Sequence, residues 1–163
     1  MADWISVAQD GLLSELAELD ADQEDGYLQR REAFQGADAA ELMETLELAV
    51  PAVVVSFRNG KIEAGPFLKR DDATLRYRVW CVALNLRGQE DAAQGDSVSA
   101  DPGAFDIAKD VLRLLRRKRL TAGDKDTLGV TFTGLEWIES AQGLAVVRLD
   151  CEVTIPQIEW DEV

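Results

Sequence analysis

With thirty-one carboxylates, seventeen cations and no histidine, this 163-residue chain has few ways to do chemistry. Glu15/Glu18, Asp71/Asp72 and Asp150/Glu152 are among its closely spaced carboxylate pairs. General acid–base catalysis needs such a pair enclosed, with the two proton affinities pushed apart. No apolar enclosure surrounds any of them in sequence, so they read as solvated surface. The absence of histidine excludes the common nucleophilic triads, and no GxGxxG or Walker A phosphate cradle occurs. Asp20–Gly26 has the spaced oxygens that begin a calcium loop, but Arg31 stands at the twelfth position, where a bidentate glutamate belongs. Neither catalytic residues, nor a cofactor site, nor a metal site is expected.

Cys81 and Cys151 both fall inside alternating, strand-like runs. An isolated pair this far apart matches neither a zinc framework nor a CxxC redox motif. Two buried free thiols are the favoured reading, with a bridge between neighbouring strands as the alternative.

Two features suit contact better than catalysis. Arg113, Arg116, Arg117, Lys118 and Arg119 place five of the seventeen basic residues within seven positions. Cations at a helix C-terminus face the negative end of its dipole, yet this cluster is denser than one helix end requires. A docking role against an acidic surface, that of another copy of this chain included, stands beside the plain dipole reading. Trp160, in the acidic run Glu159–Glu162, is either a loose end or a peg that orders on binding a partner.

Net charge is −14, and residues 1–50 hold thirteen carboxylates against Arg30 and Arg31. A general nucleic-acid binder would show a basic footprint instead. Solubility is the plainest use of this acidity, and DNA mimicry or a basic partner would also fit it. The N-terminus lacks a signal peptide's basic and apolar regions, and no run approaches the roughly 20 apolar residues of a membrane span. A soluble protein made in the cytoplasm is expected.

The elements that must position these residues follow from periodicity. A first helix capped by Asp3 runs to about Leu19, and a second covers Asp38–Leu48 until Pro51 ends it. Val53–Phe57 reads as a strand, Arg58-Asn59-Gly60-Lys61 as a hairpin turn, and Ile62–Phe67 as an edge strand or loop. Asp71-Asp72-Ala73 reads as a turn before the strong strand Leu75–Leu86. The second face of that strand, with Trp80, Val82, Leu84 and Leu86, needs a cover from a neighbouring subunit or from the chain itself. A polar loop follows, then a helix with Asp101 at its N-cap and Pro102 at N1, ending in the basic cluster. Val130–Ile138 and Leu144–Ile155 are strands, and Pro156 stops the second. This gives one domain over 1–156 and an acidic tail over 157–163.

This order of elements resembles the tail terminator proteins of long-tailed bacteriophages, more narrowly a Mu-like prophage family. The resemblance is carried by the helical start, Pro51-Ala-Val-Val-Val, the Arg76–Asn85 strand, the helix from Phe105 through Leu115, and the strand pair Gly134–Ser140 and Gly143–Ile155. It covers about two-thirds of the chain and contains no diagnostic motif. It implies an α+β fold: a mostly antiparallel sheet of four to five strands with helices packed on one face. It also implies a non-enzymatic virion protein that assembles into a ring of six. Such a ring caps the tail tube, meets the tube protein and a neck or head-completion protein, and lets DNA pass without specific binding. Trp80, Val82, Leu84, Leu86, Arg113 and Arg116–Arg119 are the expected subunit contacts, and Trp160 the expected partner contact. Assembly would take place in the host cytoplasm. The rival reading is an acidic inhibitor or DNA mimic acting on a host enzyme.

Overall fold

Alternating apolar residues build the framework. In the computed structural model, which describes residues 4–35, 42, 50–65, 70–84, 103–122, 125–139 and 144–159, they form a five-stranded sheet. Its strands are β1 (Arg30–Ala33), β2 (Ala52–Ala64), β3 (Arg70–Leu84), β6 (Thr131–Glu139) and β7 (Leu144–Glu159), in the order β1-β2-β3-β7-β6. The pairs β2–β3, β3–β7 and β7–β6 are antiparallel, whereas β1 lies parallel to β2, so this α+β fold carries a mixed sheet. A two-residue hairpin, β4 (Thr121–Ala122) and β5 (Lys125–Asp126), stands apart from it.

Because side chains alternate along a strand, Val53, Val55, Tyr77, Val79, Cys81, Val147, Leu149 and Cys151 fall on one face. Helices α1 (Trp4–Glu15) and α2 (Ala104–Leu115) cover that face. α1 contributes Ala8, Leu12 and Leu13, and α2 contributes Ile107, Ala108, Val111 and Leu115. Burying each large apolar side chain here stabilises the fold by roughly 1.5–3 kcal/mol. Two polar groups on this face are matched: Gln9 Nε2 donates to the Val55 carbonyl at 2.7 Å, and Tyr77 Oη to the Ile5 carbonyl at 2.7 Å. The buried Trp4 indole N–H has no hydrogen-bond partner among the described residues. Neither helix is long and apolar enough to cross a membrane.

Several sequence expectations are revised. Asn59-Gly60 is not a turn. β2 runs straight through it to Ala64, and the irregularity is a register shift at Arg58, between the pairs Phe57–Tyr77 and Asn59–Arg76. β3 likewise begins at Arg70, so Asp71-Asp72-Ala73 belongs to a strand; the chain closes this long hairpin through Gly65 N–H donating to the Arg70 carbonyl at 3.0 Å. A local turn preference loses here to a ladder continuing on both sides of it.

Pro156 does not stop β7 either. The extra residue between the pairs Ala73–Ile155 and Asp71–Ile158 makes a bulge, which tolerates a residue without an N–H. Gln157, at φ 54°, turns its N–H to Asp72 Oδ1 at 2.9 Å, and Ile158 returns to the core.

β1 was not expected as a strand, since its residues show no apolar alternation. Helix α2 starts from Gly103 as N-cap, whose N–H donates to the Asp106 carboxylate at 3.1 Å. Asp101, Pro102, Leu86, Trp160, the polar loop after Asn85 and, save for Leu42, the Asp38–Leu48 helix lie outside the described residues.

Candidate assembly surfaces

The basic segment is not the last turn of a helix. α2 ends at Leu115, and only Arg113 of the cluster sits in its final turn. Arg116 and Arg117 form a turn, closed by Lys118 N–H donating to the Leu115 carbonyl at 3.0 Å, and further backbone bonds hold the segment through Arg119. Arg117 N–H donates to the Val130 carbonyl at 2.8 Å, and Val130 N–H donates to the Lys118 carbonyl at 2.9 Å. Arg117 adopts φ 61°, and Gly129 lets its backbone approach: a Cβ on Gly129 would stand 2.9 Å from the Arg117 carbonyl oxygen. Beyond it, Leu120 is buried against Gly11 of α1, and the buried Thr127 hydroxyl accepts from Leu120 N–H at 2.9 Å.

The segment is therefore anchored while its side chains are exposed. Lys118 pairs with Glu15 at 3.4 Å and Arg113 with Asp110 at 3.8 Å. Arg116, Arg117 and Arg119 make no ion pair among the described residues. Free guanidinium groups on a fixed backbone suit carboxylate or phosphate recognition.

The second face of the sheet divides into two halves. In one, Trp80 and Val82 are fully buried with Ala52, Val54 and Val146 under Phe34 and Leu42, so their cover comes from within the chain. Leu84 ends β3 opposite Leu144. The Trp80 indole N–H is matched by the Ser56 hydroxyl at 3.0 Å.

The other half is an ion-pair lattice. Arg76 Nε donates to Glu152 at 3.0 Å, and Arg148 Nη2 to Glu136 at 2.6 Å. Asp150 lies between Arg148 at 3.4 Å and Arg78 at 3.9 Å. Those last contacts lack hydrogen-bond geometry, which leaves Arg78 Nε, Arg148 Nε and Asp150 Oδ1 buried without a hydrogen-bond partner among the described residues. Burial, and then the Arg148 and Arg58 charges, hold Arg78 below the usual guanidinium value. Arg148 also stacks over Trp80, 5.8 Å from the ring centre, and so joins the two halves. None of these partnerships was anticipated, because each joins residues distant in sequence.

A third surface was also missed. Leu135 and Trp137 of β6 point to the helix side, opposite Leu149 and Val147 of β7, yet are 56% and 36% exposed. Trp137 stacks on Phe105 of α2 with centroids 5.4 Å apart. At the far side of the sheet, Phe57 and Ile62 of β2 are 36% and 62% exposed on the same face.

The carboxylate pairs singled out for chemistry are spent on structure: Asp150 and Glu152 face arginines, and Asp72 accepts the Gln157 N–H. In the loop resembling a calcium site, Arg31 donates to both carboxylate oxygens of Asp20, at 2.9 and 3.0 Å. The residue at the twelfth position thus closes the loop onto the first. Gly26 is required there, since a Cβ would fall 1.8 Å from the Asp20 carbonyl oxygen. Among the described residues no group of His, Cys, Asp and Glu could hold a metal ion. Cys81 and Cys151 are free and buried, four residues out of register on neighbouring strands, since Cys81 pairs with Val147. Burial pushes the Cys151 thiol up to about 12 and the Cys81 thiol higher still.

No family model matches the chain, and no curated protein does. Among solved structures the fold is similar to a chain of the virion of a native gene transfer agent particle. The TM-score is 0.54 and the identity 12%, with 91% of this chain and 93% of that chain covered. At this identity the likeness is one of fold.

Proposed function

We propose that this chain is a non-enzymatic structural protein of a phage-like particle, and more narrowly a tail terminator. In this reading six copies form a ring that closes the tail tube and joins it to the neck or head. The observation that carries it is the end-to-end fold likeness to a virion chain, in which neither molecule has a large part left over. The described side chains support a contact role: their charged groups are tied into ion pairs or exposed on anchored backbone, not gathered around a reaction centre.

The partners are other copies of this chain, the tube protein and a neck protein. The Arg113 and Arg116–Arg119 segment is the best placed of the expected subunit contacts. Trp80 and Val82 have cover within the chain, so the proposal does not rest on them; Trp160 is kept as a partner peg. DNA passes through the opening, and six copies of a −14 chain would repel its phosphates, the more so in low salt.

Native mass spectrometry of the purified protein tests the oligomer, and deletion of the gene from an inducible prophage tests the role. The expected results are a six-subunit mass and tails that fail to join heads. Charge reversal by Arg116→Glu with Arg117→Glu should dissociate the ring, since neither side chain supports the fold. A monomer or dimer that binds a host enzyme would instead establish the inhibitor reading, and normal particles after deletion would overturn the terminator role.

A further inference from the structure

Among the described residues the sheet has two open edges, and they match. Beyond the register shift at Arg58, β2 has no strand on its outer side among the described residues, because β1 pairs only with Ala52–Val55. Residues 57–64 are all exposed. On the opposite side, β6 pairs with β7 alone among the described residues, leaving the outer backbone groups of Thr131–Glu139 open. Open edges of this length are templates for strand addition, and soluble proteins usually blunt them. Here both carry large apolar side chains on the helix face: Phe57 and Ile62 on one edge, Leu135 and Trp137 on the other.

We infer that the outer edge of β6 in one copy pairs with the open half of β2 in the next, head to tail. This deepens the ring reading and rests on it only for closure at six. Strand direction fits. Three successive antiparallel pairings make β2 and β6 run oppositely within the chain. A neighbour rotated about an axis along the strands therefore presents its β2 antiparallel to this β6.

The residues fix a register. Setting Leu135 opposite Ile62 places two exposed apolar side chains on the helix face and brings Glu136 opposite Lys61 on the other face. Both charged groups are more than half exposed. The Lys61–Glu63 pair lies on the surface and exchanges at little cost, while Glu136, held by the less exposed Arg148, has a second carboxylate oxygen to offer Lys61. Trp137 then lies over Gly60, which has no side chain of its own, and against Phe57 and Leu75, whose side chains border that position. Direct cross-strand pairs of this kind, apolar on apolar and charge on opposite charge, are what stabilise a sheet. A contact between two different edges cannot close on itself as a dimer, so it propagates into a ring or a filament.

The test uses the full chain carrying Ile62→Cys or Leu135→Cys and a short bismaleimide. Both positions are exposed, and the native thiols are buried. Mixing the two single variants should give a crosslinked heterodimer, with neither variant crosslinking alone. The double variant should give a ladder. Melting curves matching the parent's confirm that each variant is folded. A ladder that closes at six supports both proposals. A ladder that runs on without closing supports the pairing and ends the ring of six. A six-subunit mass with no 62–135 crosslink overturns the pairing and leaves the ring intact. Self-crosslinking of Leu135→Cys, or a monomer with no crosslink, overturns the pairing.

Discussion

The two halves of the sheet's second face share strands β3 and β7 and are held by different forces. Toward one end Trp80, Val82 and Val146 are sealed under Phe34 and Leu42. Toward the other Arg76, Arg78, Arg148, Asp150 and Glu152 form a half-buried lattice of charges. The sealed half contributes through area removed from water. The charged half gains less, because each ion pair must offset the loss of hydration of its members. One strand can thus serve the core over part of its length and carry a lattice of ion pairs over the rest, without any break in its hydrogen bonding.

Substitutions can sharpen or break that contrast. Trp80→Ala should have the largest effect: it opens a cavity beneath Phe34 and strands the Ser56 hydroxyl. A loss of about 3–5 kcal/mol is expected in urea unfolding. A loss below about 1 kcal/mol would mean the sealed half is not a core. Asp150→Ala should come next. It leaves Arg78 and Arg148 facing each other with no carboxylate between them, at a cost of about 1–2 kcal/mol, between exposed and buried pairs. That cost should shrink in 1 M salt, where screening acts within about 3 Å, whereas the Trp80→Ala cost should not. Equal salt responses would erase the distinction. Lys61→Ala, on the exposed arm of β2, should change stability by less than about 0.5 kcal/mol. A larger loss in a sample shown to be monomeric would mean the arm packs within its own chain.

The elements read most easily from sequence are those whose neighbours repeat their pattern. The alternation of Leu144–Ile155 marks β7, and the stripe Ile107, Ala108, Val111, Leu115 marks α2, because a single buried face selects the apolar positions. β1 escaped notice since Arg30-Arg31-Glu32-Ala33 is held by backbone bonds to β2, and side-chain type reports little about such a strand. The Asn59-Gly60 turn and the Pro156 stop failed for a related reason. Both are local preferences, and a ladder to β3 that continues before and after them outweighs them once a bulge absorbs the misfit.

The candidate surfaces were readable only in part. The density of cations from Arg113 to Arg119 was visible, but the turn that presents most of them is held by Val130, eleven or more residues away. The exposed pair Phe105 and Trp137 and the arginines around Asp150 arise from pairings across strands, which composition does not encode. That Trp80 would be covered by Phe34 and not by a second subunit was one of two open possibilities, and strand pattern cannot separate them.

The bridge between Arg31 and Asp20 has a consequence of its own. Where a loop is closed by a dissolved ion, its shape follows the supply of that ion in the medium. Here the clasp is part of the polypeptide, and its effective concentration does not fall on dilution. The turn leading into β1 should therefore hold its form with or without a chelator, inside a cell or after release from it.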